Sequence, residues 1–203
     1  MSKGILVIIS GPAGSGKGTV VNKLIEAHPE LKLSISATTR APRPGDAHGI
    51  TYYFISKEEF KERIEKGEML EYNHFTGNDN YYGTPKKEVM ESLENGNDMI
   101  LEIDVNGAMQ IKEKISEAIT IMLTPPDGKT LEERLVGRGT EEPEEIAKRL
   151  ETARKEVSML PKYDYSVVNE TGKIEECAEA IYSIIVAEHH RTTRTKTIME
   201  KFI

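Results

Sequence analysis

The chain has little of several features that define whole classes of protein. It carries one cysteine, Cys177, among 203 residues, which excludes a framework of intramolecular disulfides and suits a reducing compartment. Its longest apolar run is far too short to cross a membrane. The first residues, Met1-Ser2-Lys3-Gly4, lack the pattern of a signal peptide. We therefore expect a cytoplasmic protein without a membrane partner.

Positive charge is also in deficit. The formal net charge of −7 argues against a nucleic-acid-binding surface, which requires a basic face. Arginines nevertheless cluster at two places, Arg40 with Arg43 and, later, Arg134 and Arg138 with Arg149. A single arginine of this kind is usually a solvated surface side chain. Local positive charge within an acidic protein suits a small polyanion better than a polymer.

Apolar β-rich runs alternate with helical patterns, which indicates an α/β fold with a parallel sheet and helices on its faces. The length predicts one domain over 1–203 with small inserted lobes. The predicted core strands are 5–10, 33–36, 99–103, 119–123 and 165–168. The predicted core helices are 17–27, 86–94, one following Asn106-Gly107 and one from about Lys173, whose apolar stripe includes Cys177 as a packed thiol.

Two segments do not have the pattern of a core. Residues 36–85 are rich in glycine, tyrosine and charge, with short alternating strands around a helix at 57–66, and predict a small α+β lobe. Residues 125–163 are charged and helical, and Glu141–Glu145 would begin a helix within them. The core then comprises about 1–35, 86–124 and 164–203.

A glycine-rich loop follows the first apolar run and fits the pattern G-x-x-x-x-G-K. Glycines let the backbone wrap closely enough for N–H groups to face phosphate oxygens, and the next helix presents its positive end to them. The alternative is a strand-to-helix turn that binds no ligand. The predicted phosphate-binding residues are Gly11, Pro12, Ala13, Gly14, Ser15, Gly16, Lys17, Gly18 and Thr19.

A second candidate phosphate site is the loop Thr38-Thr39-Arg40-Ala41-Pro42-Arg43-Pro44-Gly45. Its prolines limit the conformations of the loop, and arginine forks bind phosphate oxygens in pairs. The hydroxyl groups of Tyr52 and Tyr82 could add donors, although a tyrosine in a small lobe is more often core filler.

These motifs together resemble those of the guanylate kinase family. The resemblance runs from about residue 4 to 190 and is most specific in the arginine loop and in Gly77…Asn80-Tyr81-Tyr82-Gly83-Thr84. It includes Leu101-Glu102-Ile103-Asp104-Val105-Asn106-Gly107 and Val167-Val168-Asn169. The stretch 77–83 is two residues longer than is usual in the family. Glu102 and Glu170 stand where aspartate is common.

The resemblance implies a P-loop NTPase-type, three-layer parallel sheet core with an inserted monophosphate-binding lobe and a helical lid. It implies that Glu71 and Thr84 recognise guanine, with Asp104 nearby. A carboxylate matches the two adjacent donors of guanine, whereas adenine presents an acceptor there, so such a site can reject the wrong base by about 10⁴-fold. It also implies a set of residues for the phosphate of GMP: Ser36, Arg40, Arg43, Tyr52 and Tyr82.

The resemblance assigns the remaining roles to ATP and its metal. Asn169 would border the adenine, and Arg134, Arg138 and Arg149 would be lid arginines at the triphosphate. Mg²⁺ would be held by Thr19, with Glu102 or Asp104 acting through water. Because the acceptor phosphate is already an anion, no general base is required, and none is evident among the five histidines.

The expected function is ATP-dependent phosphorylation of GMP, and more weakly of dGMP, to the diphosphate. One alternative is a catalytically silent guanylate-kinase-like module that binds phosphopeptides; another is a kinase for a different monophosphate, such as AMP or CMP. The sequence is compatible with a homo-oligomer but does not predict one.

Overall fold

The structure of the protein, a computed structural model, describes residues 3–137 and 143–194. Strands and helices are interspersed along these ranges. The strands are β1 Leu6–Ser10, β2 Lys32–Leu33, β3 Ala37–Thr38, β4 Tyr53–Phe54, β5 Met69–Phe75, β6 Asn80–Pro85, β7 Met99–Glu102, β8 Ile119–Thr124 and β9 Tyr165–Val168. The helices are α1 Lys17–Ala27, α2 Lys57–Glu65, α3 Lys86–Glu94, α4 Val105–Lys114, α5 Gly128–Val136, α6 Pro143–Val157 and α7 Ile174–His189, with a 3₁₀ turn at Leu160–Lys162.

A five-stranded sheet in the order β2-β7-β1-β8-β9 forms the core of the fold. β2 pairs with β7, and β8 with β9, in parallel. All five residues of β1 are buried, as expected for an apolar strand that is covered on both faces. The predicted α/β fold with a parallel sheet is confirmed.

A second sheet of four strands has the order β4-β3-β6-β5. β3 pairs in parallel with β4 and antiparallel with β6, which continues antiparallel to β5. Helix α2 packs here through Phe60, which is buried with Ala37 and Met69. The helix begins where the Ser56 hydroxyl accepts a hydrogen bond from the backbone N–H of Glu59 at 3.1 Å.

The predicted core strand at 33–36 is wrong in its extent. β2 stops at Leu33, both of its residues are exposed, and the chain then changes sheets. Ser34 N donates to Ile100 O on β7 at 2.9 Å. Ser36 O, in contrast, accepts from Tyr53 N on β4 at 2.9 Å. Since the two serines bond to different sheets, the apolar run divides between them.

The chain packs as two compact units, which contain the described residues 3–8 with 30–120 and 9–29 with 121–137 and 143–194. The first unit includes the arginine loop and the four-stranded sheet. The second includes the glycine-rich loop and the pair α1 and α7, whose packing buries Cys177, Ile181 and Ile185. Burial raises the pKa of the Cys177 thiol to about 11, so this cysteine is the packed side chain predicted. No helix within the described ranges is long and apolar enough to span a membrane.

Candidate active site

The glycine-rich loop turns tightly between β1 and α1. Gly11 has a φ of 149°, and a Cβ there would lie 2.1 Å from Leu123 O on β8. Gly16, the residue before α1, has a φ of 89°, and a Cβ there would lie 2.5 Å from Asn169 Nδ2. A side chain at Gly11 would therefore meet backbone, whereas one at Gly16 would have to displace the Asn169 amide, and both positions have a φ that favours glycine.

Lys17 folds back over this loop. Its Nζ donates to Gly11 O at 2.6 Å and to Pro12 O at 3.2 Å. The ammonium group is thus held at the loop by carbonyl oxygens, which are weaker partners than phosphate oxygens. Thr19 is exposed in the first turn of α1, and that turn contains no acidic residue. The loop therefore combines a cation with a helix N-terminus free of side-chain negative charge.

Asn169 and Arg134 brace the loop from outside. Asn169 Nδ2 donates to Ser15 O at 2.8 Å, and Arg134 Nη2 donates to Asn169 O at 2.8 Å. Arg134 also reaches Thr171 Oγ1 at 3.3 Å. The structure therefore brings two residues assigned to ATP, one after β9 and one on α5, to the same loop.

Helices α5 and α6 carry the other lid arginines. They pack together through Leu131, Leu135 and Ala153, and Asp127 Oδ1 begins α5 by accepting from Thr130 N at 2.7 Å. Arg149 is exposed on α6. Arg138 and the acidic residues 141–142 lie outside the described residues, whereas Glu144 and Glu145 lie in the first turn of α6.

The arginine loop is organised around Asp46. Its Oδ2 accepts from Arg40 Nη1 at 2.9 Å and from Arg43 N at 2.8 Å. Burial opposes the charge of Arg40, but the hydrogen bond and the charge of Asp46 outweigh it and raise the pKa of the arginine. The side chain of Arg40 is 12 % exposed, so one face of a largely buried cation is held in place by a carboxylate.

Aromatic rings surround the same guanidinium group. Arg40 Cζ lies 5.4 Å from the ring centre of Tyr52 and 5.6 Å from that of Phe54. Tyr52 and Tyr82 meet edge to face at 6.1 Å. Burial, together with the charge of Glu102, raises the pKa of Tyr52, so its hydroxyl remains a neutral donor. The structure thus brings together Arg40, Tyr52 and Tyr82, while Arg43 is exposed beside them and Ser36 is half-buried.

Glu71 is a buried carboxylate on β5. Its side chain is 4 % exposed, and its Oε1 accepts from the hydroxyl of Thr84, the residue paired with it on β6, at 2.7 Å. Burial raises the pKa of Glu71 to about 7 against the effect of this bond, and the charge of Asp104 adds to the rise. A carboxylate buried at such a cost requires partners that donate hydrogen bonds.

Asp104 begins α4 and connects it to β5. Its Oδ1 accepts from Gly107 N at 2.8 Å and its Oδ2 from Asn73 Nδ2 at 2.8 Å. A Cβ on Gly107 would lie 2.6 Å from Glu71 Oε2, so the buried glutamate lies against the first turn of the same helix. Glu71, Thr84 and Asp104, the three residues assigned to guanine, therefore lie close together.

The two extra residues of 77–83 lie in the turn between β5 and β6. Asp79 has a φ of 52°, and it bonds to His74 and Lys57. The pairing of Glu71 with Thr84 and of Asn73 with Tyr82 is continuous from this turn inward. The insertion is thus absorbed at the tip of the hairpin and leaves the predicted guanine pair in register.

Two residues that the sequence did not predict, Asp46 and Asn73, hold Arg40 and Asp104. Asp46 had a signal, since an aspartate in a Pro-Gly turn often bonds to nearby backbone N–H groups. Asn73 had none, because only the pairing of the strand with α4 brings it to Asp104.

A glycine-rich loop between a buried strand and a helix, in a parallel α/β fold, defines a P-loop nucleotide-binding protein. Comparison with known proteins narrows this class. The sequence model of guanylate kinase matches residues 3–188. The chain is 47 % identical over 201 residues to a guanylate kinase of Lactococcus lactis, covering 99 % of this chain and 95 % of that one. It is 48 % identical over 203 residues to one of Clostridioides difficile, covering 100 % and 97 %.

A solved structure gives the same result. The crystal structure of guanylate kinase from Anaplasma phagocytophilum superposes with a TM-score of 0.77 at 34 % identity, over 95 % of this chain and 90 % of that one. The chain belongs to the guanylate kinase family and is a kinase of the P-loop class.

Proposed function

We propose that this guanylate kinase family member, whose reaction is ATP + GMP = ADP + GDP, binds ATP at its glycine-rich loop and GMP at the arginine loop and β5. Buried Glu71 beside Thr84 carries the assignment of the acceptor. Guanine offers N1–H and a 2-amino group to a carboxylate and O6 to a hydroxyl. The Thr84 hydroxyl, which has one proton and donates it to Glu71 Oε1 here, would turn to O6 as the guanine donors replace it at Glu71. A deoxyribose would leave these contacts intact, so dGMP is a second, weaker acceptor.

The monophosphate would be bound by side chains. Arg40 presents a guanidinium group that Asp46 and two rings hold in position. The hydroxyls of Tyr52 and Tyr82 would add hydrogen-bond donors, and Arg43 and Ser36 would complete the set. A phosphate with two negative charges would bind more strongly than the single carboxylate that Arg40 contacts now.

Phosphoryl transfer requires little from the protein beyond position and positive charge, because its transition state spreads negative charge over the transferred group. Lys17 would exchange the carbonyls of Gly11 and Pro12 for phosphate oxygens. Arg134, together with Arg138 and Arg149, would add charge at the triphosphate, and Asn169 would border the adenine. The acceptor oxygen of GMP already carries the charge needed for attack.

A magnesium ion fits the donor chemistry of these residues. The hydroxyl of Thr19 is exposed in the first turn of α1 and is an oxygen ligand of the kind Mg²⁺ prefers. Asp104 or Glu102 would act on the ion through water. When bound, Mg²⁺ neutralises charge on the outer phosphates of ATP.

The location in the cytoplasm stays a prediction from the sequence, and the sequence predicts no oligomeric state. The two alternative functions conflict with particular features: a silent phosphopeptide-binding module has no need of Lys17 at a complete glycine loop, and a kinase for AMP or CMP would leave Glu71 without matching donors.

A panel of acceptors tests the proposal. With ATP and Mg²⁺, ADP release is measured in the presence of GMP, dGMP, AMP, CMP or UMP, each over a range of concentrations. We expect turnover with GMP, weaker turnover with dGMP, and kcat/KM lower by at least about 10³-fold with the other bases. Turnover with AMP that equals turnover with GMP would refute the assignment of Glu71 and Thr84.

A further inference from the structure

Asn73 lies two residues after Glu71 on β5 and is fixed at both ends of its amide. Its Nδ2 donates to Asp104 Oδ2 at 2.8 Å, and its Oδ1 accepts from Asn106 Nδ2 at 3.3 Å. An ionised carboxylate only accepts hydrogen bonds, so the NH₂ group of Asn73 has to face Asp104. The orientation of the amide therefore follows from chemistry.

The carboxylate of Asp104 therefore accepts hydrogen bonds from two different elements. The N–H of Gly107 binds one carboxylate oxygen from within α4, and Asn73 binds the other from β5. A carboxylate held on both oxygens cannot rotate about its terminal bond without losing a hydrogen bond. Each oxygen keeps one lone pair for a ligand, and the direction of these lone pairs is set by the two donors.

Glu71, two residues before Asn73 on β5, has a matching arrangement. Thr84 binds its Oε1, and its Oε2 lies against Gly107, where a Cβ would approach to 2.6 Å. The N–H of that same Gly107 is bound by Asp104. Two carboxylates thus lie at the first turn of α4, each oriented by a neutral hydrogen-bond donor.

We propose that Asn73 is a positioning residue that sets guanine selectivity by holding Asp104 beside Glu71, a role that rests on the proposed function. Guanine has donors on two adjacent atoms, N1 and the 2-amino nitrogen, and two oriented carboxylates can engage both. A base that lacks the 2-amino group uses only one of them. Loss of the donor at Asn73 lets Asp104 rotate, and the contact with the second donor weakens.

Inosine monophosphate (IMP) is the probe for this role, because it keeps N1–H and O6 and lacks only the 2-amino group. Steady-state kinetics with GMP and with IMP are compared for the wild-type protein and for Asn73→Ala. We expect the ratio of the two kcat/KM values to fall about tenfold in the variant, the size of effect of one hydrogen bond to a charged group. KM for GMP should rise, while kcat and KM for ATP stay unchanged.

Two further variants make the result specific. Asn73→Asp has the same shape but places a second carboxylate against Asp104, so the loss with GMP should exceed that of Asn73→Ala. Asn95→Ala makes the same chemical change at an exposed residue that follows α3, and its ratio should equal that of the wild type. Thermal melting of all four proteins establishes that each is folded.

The role of Asn73 would be overturned if Asn73→Ala lowered kcat/KM for GMP and for IMP equally. It would also be overturned if the ratio of these two values stayed as unchanged in Asn73→Ala as in Asn95→Ala. The acceptor panel separates this failure from that of the proposed function. A wild-type protein that does not distinguish GMP from AMP removes both proposals. A selective wild-type protein with an unaffected Asn73→Ala variant removes only the second.

Discussion

The glycine-rich loop and the proposed guanine-binding residues, Glu71, Thr84 and Asp104, are built in opposite ways. The loop depends on the absence of side chains, at Gly11 and Gly16, and presents backbone groups with one lysine. The proposed guanine-binding residues depend on side chains that other side chains orient, such as Glu71 by Thr84 and Asp104 by Asn73.

This difference follows from what each region has to recognise. A triphosphate is the same for every nucleoside, so backbone N–H groups and a cation are sufficient, and they carry no information about the base. A base is recognised by the order of its donors and acceptors, which only side chains of matching chemistry can reproduce. A variant that removes charge from the loop should therefore lower turnover with every acceptor nucleotide. A variant that changes a hydrogen-bonding group of the other region should lower turnover with one acceptor nucleotide only.

The largest effect is expected from Lys17→Met. The variant keeps the length and the apolar stem of the side chain but removes the cation that would neutralise the transferred phosphoryl group. We expect kcat to fall about 10³-fold with every acceptor, by analogy with the loss of other charged groups at a transition state. Steady-state ADP release with GMP and with dGMP measures it.

Lys23→Met, on the same helix, is the matched control. Lys23 forms exposed ion pairs with Glu26 and Glu175. Because such pairs contribute little to stability, the kcat of the Lys23→Met protein should stay within about twofold of the wild type. A Lys17→Met protein that retains a tenth of the wild-type kcat would show that the loop works through its backbone alone.

The second effect is a loss of acceptor use in Glu71→Gln. The amide places a donor where guanine also has donors, so kcat/KM for GMP should fall about 10²-fold while KM for ATP is unchanged. Glu68→Gln, an exposed glutamate three residues earlier, is the control and should behave as the wild type. Equal losses for GMP and for ATP would contradict a role confined to the base.

The pH profile sharpens this test. Because burial raises the pKa of Glu71 to about 7, the carboxylate that we propose for guanine forms as the pH rises through 7. In the wild type, kcat/KM for GMP should rise between pH 6 and pH 8 more steeply than in Glu71→Gln.

The effect of Glu71 on folding stability has the opposite sign. Between about pH 4.5 and 7 the unfolded chain has lost the proton of Glu71 and the folded chain retains it, so Glu71 lowers stability as pH rises. Denaturant unfolding at pH 5 and pH 8 should show that the free energy of unfolding declines less with pH in Glu71→Gln than in the wild type.

The same contrast explains how far the sequence alone could be interpreted. The glycine-rich loop is a local pattern, since its strand, turn and helix are consecutive, and both its position and its fold could be predicted. The buried stripe of α7 and the hairpin β5–β6 are local in the same sense. Each of these patterns consists of residues that are neighbours along the chain or that recur at the short spacing of a helix.

Interactions between distant elements were not predictable in this way. The strand expected at 33–36 divides between two sheets because Ser34 and Ser36 bond to strands that lie far along the chain. Asn73 meets Asp104 across 31 positions of sequence, and no local pattern marks that contact. Glu71 was assigned from a resemblance, and only the structure shows it to be buried with a raised pKa.

The smallest expected effect comes from Gly16→Ala, which tests whether the loop is a backbone device. At a φ of 89° an alanine is strained by about 1 to 2 kcal/mol. Its Cβ would also displace the Asn169 amide, whose nitrogen would lie 2.5 Å away, at a further cost of about 1 kcal/mol for the bond to Ser15. We expect the free energy of unfolding to fall by about 2 to 3 kcal/mol and kcat/KM for ATP to fall about tenfold.

Gly67→Ala separates strain from the loss of space. Gly67 also has a positive φ, 68°, but an added Cβ there meets nothing within 4 Å, so this variant should lose only about 1 to 2 kcal/mol and keep its kinetics. Urea unfolding and ATP titrations at saturating GMP measure both quantities. If Gly16→Ala matched Gly67→Ala in both the free energy of unfolding and the use of ATP, the close approach of Asn169 to the loop would have no role, and the loop would tolerate side chains as the proposed guanine-binding residues do.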